Sequence, residues 1–124
     1  MPTNLPAPSP RAAVAIEFAR AQLGKPYQWG ATGPGTFDCS GLTMRAWQAA
    51  GISIPRVSGD QFKAFPRITD YSQLQPGDLV FRGPGGSNHV GLYIGNGLMI
   101  NAPQTGDVVK IAPIRSTSGA VRPG

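Results

Sequence analysis

The hydrophobic pattern of this chain changes period once, near Pro76-Gly77, and that change limits its possible folds more than any other feature. Ahead of it lie three segments with helical punctuation. Ser9-Pro10 has the form of a helix start, a serine cap followed by proline at the first helical position. Val14, Phe18 and Ala21 or Leu23 are expected on the buried side of that helix, which should stop at Gly24. A second helix is expected from Asp38 or Cys39 to Ala50, with Leu42, Ala46 and Ala49 on one face and Trp47 at the edge of the stripe. Ser58 followed three residues later by Gln61 has the capping-box pattern and opens a short helix holding Phe62 and Phe65. After the change, residues 78–82, 89–94, 98–102 and 108–112 are short, rich in β-branched and apolar side chains, and separated by Gly, Pro and Asn clusters. Helices first and strands after predict an α+β domain with an antiparallel sheet packed against the helices.

The 124 residues fit one domain. Prolines at 2, 6 and 8 predict an extended arm over residues 1–8, a domain over 9–115 and a tail over 116–124. No apolar run approaches the length of a membrane span. The start of the chain has no signal-peptide pattern, which leaves open a cytosolic protein or a domain of a longer secreted precursor. The net charge of +5 would suit an anionic partner, but the eleven basic residues are scattered singly. No aromatic-basic interleaving of the kind single-stranded nucleic acids require is present, so no nucleic-acid partner is expected.

One cysteine and one histidine rule out an intrachain disulfide and a site of Cys and His ligands, so no metal or cofactor is expected. A solitary cysteine is ordinarily a small buried hydrophobe. Cys39, however, stands at a helix start, where unpaired N–H groups favour a thiolate. It follows a glycine-rich loop over residues 25–37, and Asp38, Ser40 and Gly41 surround it where a packing cysteine would prefer apolar neighbours. His89 is the only imidazole, so a Cys–His pair has to use it, either as a base for the thiol or as an ion pair with the thiolate.

The hairpin over 89–102 suggests what orients His89. A two-residue Asn96-Gly97 loop would bury Asn101 in the apolar layer and turn Ile100 outward. A three-residue Gly95-Asn96-Gly97 loop, with Gly97 left-handed, puts Val90, Leu92, Ile94, Ile100 and Ala102 on one face and His89, Gly91, Tyr93 and Asn101 on the other. The hydrophobic pattern prefers the second register. Asn101 then lies opposite Gly91 and diagonal to His89, with the missing side chain at Gly91 leaving room for the two to meet.

The stretch LGKPYQWGATGPGTFDCSGLTMRAW, then GDLVF, then HVGLYIGNGLMINAP, resembles the NlpC/p60 family of cell-wall cysteine peptidases over about residues 12 to 112. Within it, the chain is similar to actinobacterial peptidoglycan endopeptidases of the resuscitation-promoting-factor-interacting type. The resemblance implies a papain-like minimal fold, N-terminal helices on a five- to six-stranded antiparallel sheet. It implies a D,L-endopeptidase that cuts peptidoglycan stem peptides between D-γ-glutamate and meso-diaminopimelate, in a secreted or cell-envelope setting; a monomer is expected. By motif, Cys39 is the nucleophile, His89 the base and Asn101 the third polar residue, a position more often His in the family. Tyr27 matches the tyrosine that donates to the oxyanion, and Asp38, Ser40 and Ser58 match positions that bind the stem peptide's amino terminus. Local structure offers Asp38 and Ser58 a competing use as helix caps, and Trp29 and Trp47 are expected in the core. A wall-binding module that has lost turnover is the alternative reading. The order Cys39, His89, Asn101 speaks against permuted acyltransferase relatives, in which the histidine comes first.

Overall fold

In the computed structural model, which describes residues 8–124, three helices precede five strands: α1 (Pro10–Ala21), α2 (Cys39–Ala49), α3 (Ser58–Ala64), β1 (Leu79–Arg82), β2 (His89–Gly95), β3 (Leu98–Asn101), β4 (Lys110–Pro113) and β5 (Gly119–Val121). Apart from Pro8, the expected N-terminal arm lies outside the described residues. The strands form one antiparallel sheet in the order β4-β3-β2-β1-β5. One face meets the helices through Leu79, Phe81, Val90, Leu92 and Ile100, which join Leu42, Ala46 and Trp47 of α2 in the main core. The other face carries a smaller cluster of Val80, Tyr93, Met99 and Ala120.

Ser9 caps α1 as expected, its Oγ accepting from the Ala12 N–H at 3.1 Å. The buried stripe differs from the one expected: Ala12, Ala15 and Ala19 face the core, Phe18 is half-buried, and Val14, Ala21 and Leu23 are exposed. The alanine stripe lets α1 approach α2 closely, and the larger aliphatics fall off that contact line. On α2, Leu42, Ala46 and Trp47 are buried but Ala49 is exposed. Trp47 is fully enclosed, with its indole N–H donating to the Gly77 carbonyl at 3.2 Å.

The capping box at Ser58 does not form. Val57 occupies the cap position without a side-chain bond and Ser58 is the first helical residue. Gln61 turns inward instead. It accepts from Thr43 Oγ1 at 2.8 Å and donates to the Ser40 carbonyl at 3.1 Å and the Pro55 carbonyl at 2.8 Å, tying α3 to α2. Residues 116–124, expected as a tail, contain β5. Ala120 pairs with Val80, and Arg122 reaches the buried Asp78 at 2.8 Å, so the sheet extends past residue 115. A three-residue strand with little alternation leaves too faint a pattern to be read locally.

Candidate active site

Asp38 organises the start of α2. Its Oδ1 accepts from the Gly41 N–H at 2.7 Å, an N-cap bond, and its Oδ2 accepts from the Gly30 N–H at 2.9 Å. Its own N–H donates to the Ala31 carbonyl at 2.9 Å, so the glycine-rich loop is folded back on the helix start. Gly41 is required at this crossing because a Cβ there would collide with the Ala31 carbonyl and the Asp38 carboxylate. Arg56 grips the carboxylate in bidentate fashion, at 3.1 Å to Oδ1 and 2.8 Å to Oδ2, and donates to Ser40 Oγ at 2.9 Å. Arg56 is absent from the residues expected at the site. Its one sequence signal is its position two residues ahead of Ser58, which does not distinguish it from the other scattered cations.

Cys39 begins α2 and is half-buried. Burial pushes its thiol above the ordinary value, and the Asp38 carboxylate adds to this. The N–H groups of Val90, Ser40 and Cys39 itself favour the thiolate without overcoming burial. The helix start therefore acts in the direction the sequence suggests, but desolvation outweighs it.

The hairpin takes a form between the two expected. Its tip is a two-residue turn, with Asn96 (φ 57°) and Gly97 (φ 73°) both left-handed, while a bulge between Tyr93 and Gly95 absorbs the odd residue. Beyond the bulge Leu92 faces Ile100, which is the register the hydrophobic pattern prefers. His89 and Asn101 therefore share the face away from the main core, and His89 Nε2 lies 2.9 Å from Asn101 Oδ1. The space over Gly91 is filled by Met99, whose sulfur would meet any Cβ there, and the His89–Asn101 contact forms beside it.

The amide of Asn101 is oriented by a second bond, its Nδ2 donating to the Lys110 carbonyl at 3.1 Å. With Oδ1 thus turned to the ring, Nε2 must carry the proton, and Nδ1 is left as the basic nitrogen. Burial depresses the His89 imidazole below its ordinary value; the Asn101 bond opposes this, and the Arg82 guanidinium reinforces it. Burial thus acts on both groups in the direction that favours their uncharged forms.

Tyr27, Asp38, Cys39, Ser40 and Ser58 line one groove, together with Trp29, Arg56 and Asn88. His89 and Asn101 line a second. The Val90 N–H, next in the chain after His89, is directed to the Cys39 sulfur. No hydrogen bond joins Cys39 directly to His89 among the described residues. Trp29 is not in the core: it is 83% exposed at the rim of the first groove, whereas Trp47 is buried as expected. Burial raises the Tyr27 phenol, with Cys39 and Asp38 adding to it against Arg56, so its hydroxyl is a proton donor at neutral pH.

The depressed imidazole has a consequence for stability. A group held neutral by burial binds fewer protons in the folded state, so stability is fully present above the ordinary histidine value of about 6.5 and falls as pH drops through the lowered one. His89 is the sole histidine. The melting temperature of the wild type is expected to fall between pH 7.5 and 5.5, and that of His89→Gln to change much less. Parallel loss in both proteins would contradict a buried neutral ring.

Residues 24–120 match the NlpC/P60 family. The chain is 54% identical over 92 residues to a Listeria monocytogenes protein described as "Probable endopeptidase p60", covering 73% of this chain and 19% of that protein. It therefore spans about a fifth of the length of that curated relative. The solved structure of the Mycobacterium tuberculosis peptidoglycan hydrolase RipB superposes with a TM-score of 0.83 at 37% identity, covering 90% of this chain and 64% of that one. RipD from the same organism, described as a non-catalytic NlpC/p60 domain protein adapted to peptidoglycan binding, superposes at 0.80 with 34% identity over 92% of this chain and 98% of its own. Three helices on a five-stranded antiparallel sheet, and a sequence match across most of its length, place the chain in the NlpC/P60 family.

Proposed function

We propose that this chain is a peptidoglycan endopeptidase domain of the cell envelope, acting on stem peptides at the bond between D-γ-glutamate and meso-diaminopimelate. The observation that carries the reading is the chain of bonds from Lys110 through Asn101 to His89, which leaves Nδ1 free as a base. His89 takes the Cys39 proton as the sulfur attacks the γ-carbonyl. The Tyr27 hydroxyl and the Cys39 N–H stabilise the oxyanion. The C–N bond then breaks, the imidazolium returns the proton to the leaving amine, and water hydrolyses the thioester. Ser58, released from capping, faces the stem peptide's amino terminus with Ser40, and Asp38 holds Ser40 and Arg56 in place there.

Mass analysis of products from a defined disaccharide-peptide tests this. The expected products are the disaccharide carrying L-alanyl-D-glutamate and a free diaminopimelyl peptide. The description of RipD as non-catalytic supports a second reading, a wall-binding module of the same fold. Tight binding with no product would favour it. At the groove rim, Trp29→Ala is expected to raise KM several-fold, while its exposure keeps the stability change within about 0.5 kcal/mol. An unchanged KM would remove Trp29 from the substrate path.

A further inference from the structure

The groove that holds His89 and Asn101 is also lined by Arg82, Lys110, Arg115 and Asp107. Its one acid is taken: Asp107 pairs with Lys110 at 2.9 Å. The other ion pairs among the described residues use Arg56 and Arg122, so Arg82 and Arg115 have no carboxylate partner there. Arg82 lies directly opposite His89 in the β1–β2 ladder, so the two share a face, and both guanidinium-bearing residues are exposed. Arg82 is near enough to the ring to help depress its protonation. Two uncompensated guanidiniums thus border a groove with the imidazole in its wall. Both stay hydrated there, and a carboxylate in the groove would supply the partner they lack.

The side of the substrate that enters this groove follows from the order of proton transfers. The acyl half lies over Cys39 in the groove of Tyr27 and Ser58. The amine-bearing half receives its proton from His89 and departs past it. Asn88 lines the first groove and His89 the second, so consecutive residues of one segment border the two.

We propose that the second groove is a carboxylate-binding subsite for the amine-bearing half of the substrate, with Arg82 as its specificity-determining residue and Arg115 in support. This rests on the endopeptidase reading and extends it to a group on the far side of the scissile bond. The carboxylate belongs to diaminopimelate itself or to a D-alanine that follows it. Guanidinium geometry suits either, since both present two oxygens to a planar fork.

The test measures kcat and KM on six disaccharide-peptides, two ending in meso-diaminopimelate and four extended by D-alanine. In each pair the diaminopimelate side-chain carboxylate is free or amidated, and the D-alanine peptides are also compared with a C-terminal amide. The wild type is expected to prefer a free acid roughly fivefold, through KM, and to lose the preference at high salt. Arg82→Gln is expected to lower the acid-to-amide ratio of KM to near unity. The peptide whose amidation matters identifies which carboxylate is read. Equal turnover of acid and amide in every pair, or discrimination that survives in Arg82→Gln, would overturn the subsite. Should no peptide be cut, the endopeptidase reading fails on its own. The subsite is then tested by titrating diaminopimelyl-D-alanine and its diamide into wild type and Arg82→Gln. Binding of the acid alone, weakened in the variant, supports it, and equal or undetectable binding of both ligands refutes it.

Discussion

Cys39→Ala is expected to reduce cleavage of a γ-D-glutamyl-meso-diaminopimelyl muropeptide by roughly 10⁴-fold or more, with the fold intact. The size follows from the loss of the covalent route: without sulfur, the imidazole has no nucleophile to activate, and only binding and the oxyanion donors remain. Stability should change little, because the thiol is only half-buried and Cys39→Ala keeps the Cβ that packs at the start of α2. His89→Ala should cost a comparable factor, and the two losses should not add, since in the proposed mechanism each residue acts through the other. Asn101→Ala should cost less, roughly 10- to 100-fold, because the ring remains but loses the bond that sets its tautomer. Product-forming rates for the three variants under single-turnover conditions decide the matter. Cleavage by Cys39→Ala near the wild-type rate would remove the thiol from the mechanism.

The largest effect on stability is expected at Asp38. Asp38→Ala should destabilise the domain by about 3 kcal/mol or more, because it strands a set of groups rather than removing one contact. The N–H groups of Gly41 and Gly30 lose their acceptor, and the Arg56 guanidinium loses its bidentate partner. The loop carrying Tyr27 and Trp29 keeps the backbone bond from the residue-38 N–H to the Ala31 carbonyl but loses its side-chain tie through Gly30. For a domain of this size the melting temperature should drop by about 10 °C. Asp38→Asn keeps an acceptor for the helix cap and should fall between the two. A drop of under about 3 °C in the alanine variant would show that water replaces these bonds without cost.

Where the sequence was legible, the signal was local. Ser9-Pro10 reads as a helix start because cap and proline act within one turn. The hairpin register is readable because a shift by one residue would exchange Ile100 for Asn101 in the core. Ser58 shows the opposite case. Its spacing to Gln61 satisfies a local rule, yet Gln61 finds three partners on and beside α2, and those bonds pull it from the box. Trp29 misleads for a related reason: hydrophobicity predicts burial, but a groove rim exposes an aromatic that the sequence cannot tell from a core one.

The amino-acid sequence by itself determined the order of elements, the solitary thiol and imidazole, the hairpin face that puts Asn101 with His89, and the family resemblance. All of these depend on short spacings or on residue identity. Tertiary structure alone decided the rest: the clamp of Arg56 on Asp38, the insertion of β5 beside β1, the alanine face of α1, and the burial that raises the Cys39 thiol and depresses the His89 imidazole. Each of those is set by what surrounds a group from distant parts of the chain. Desolvation and partner geometry have no counterpart in a local pattern.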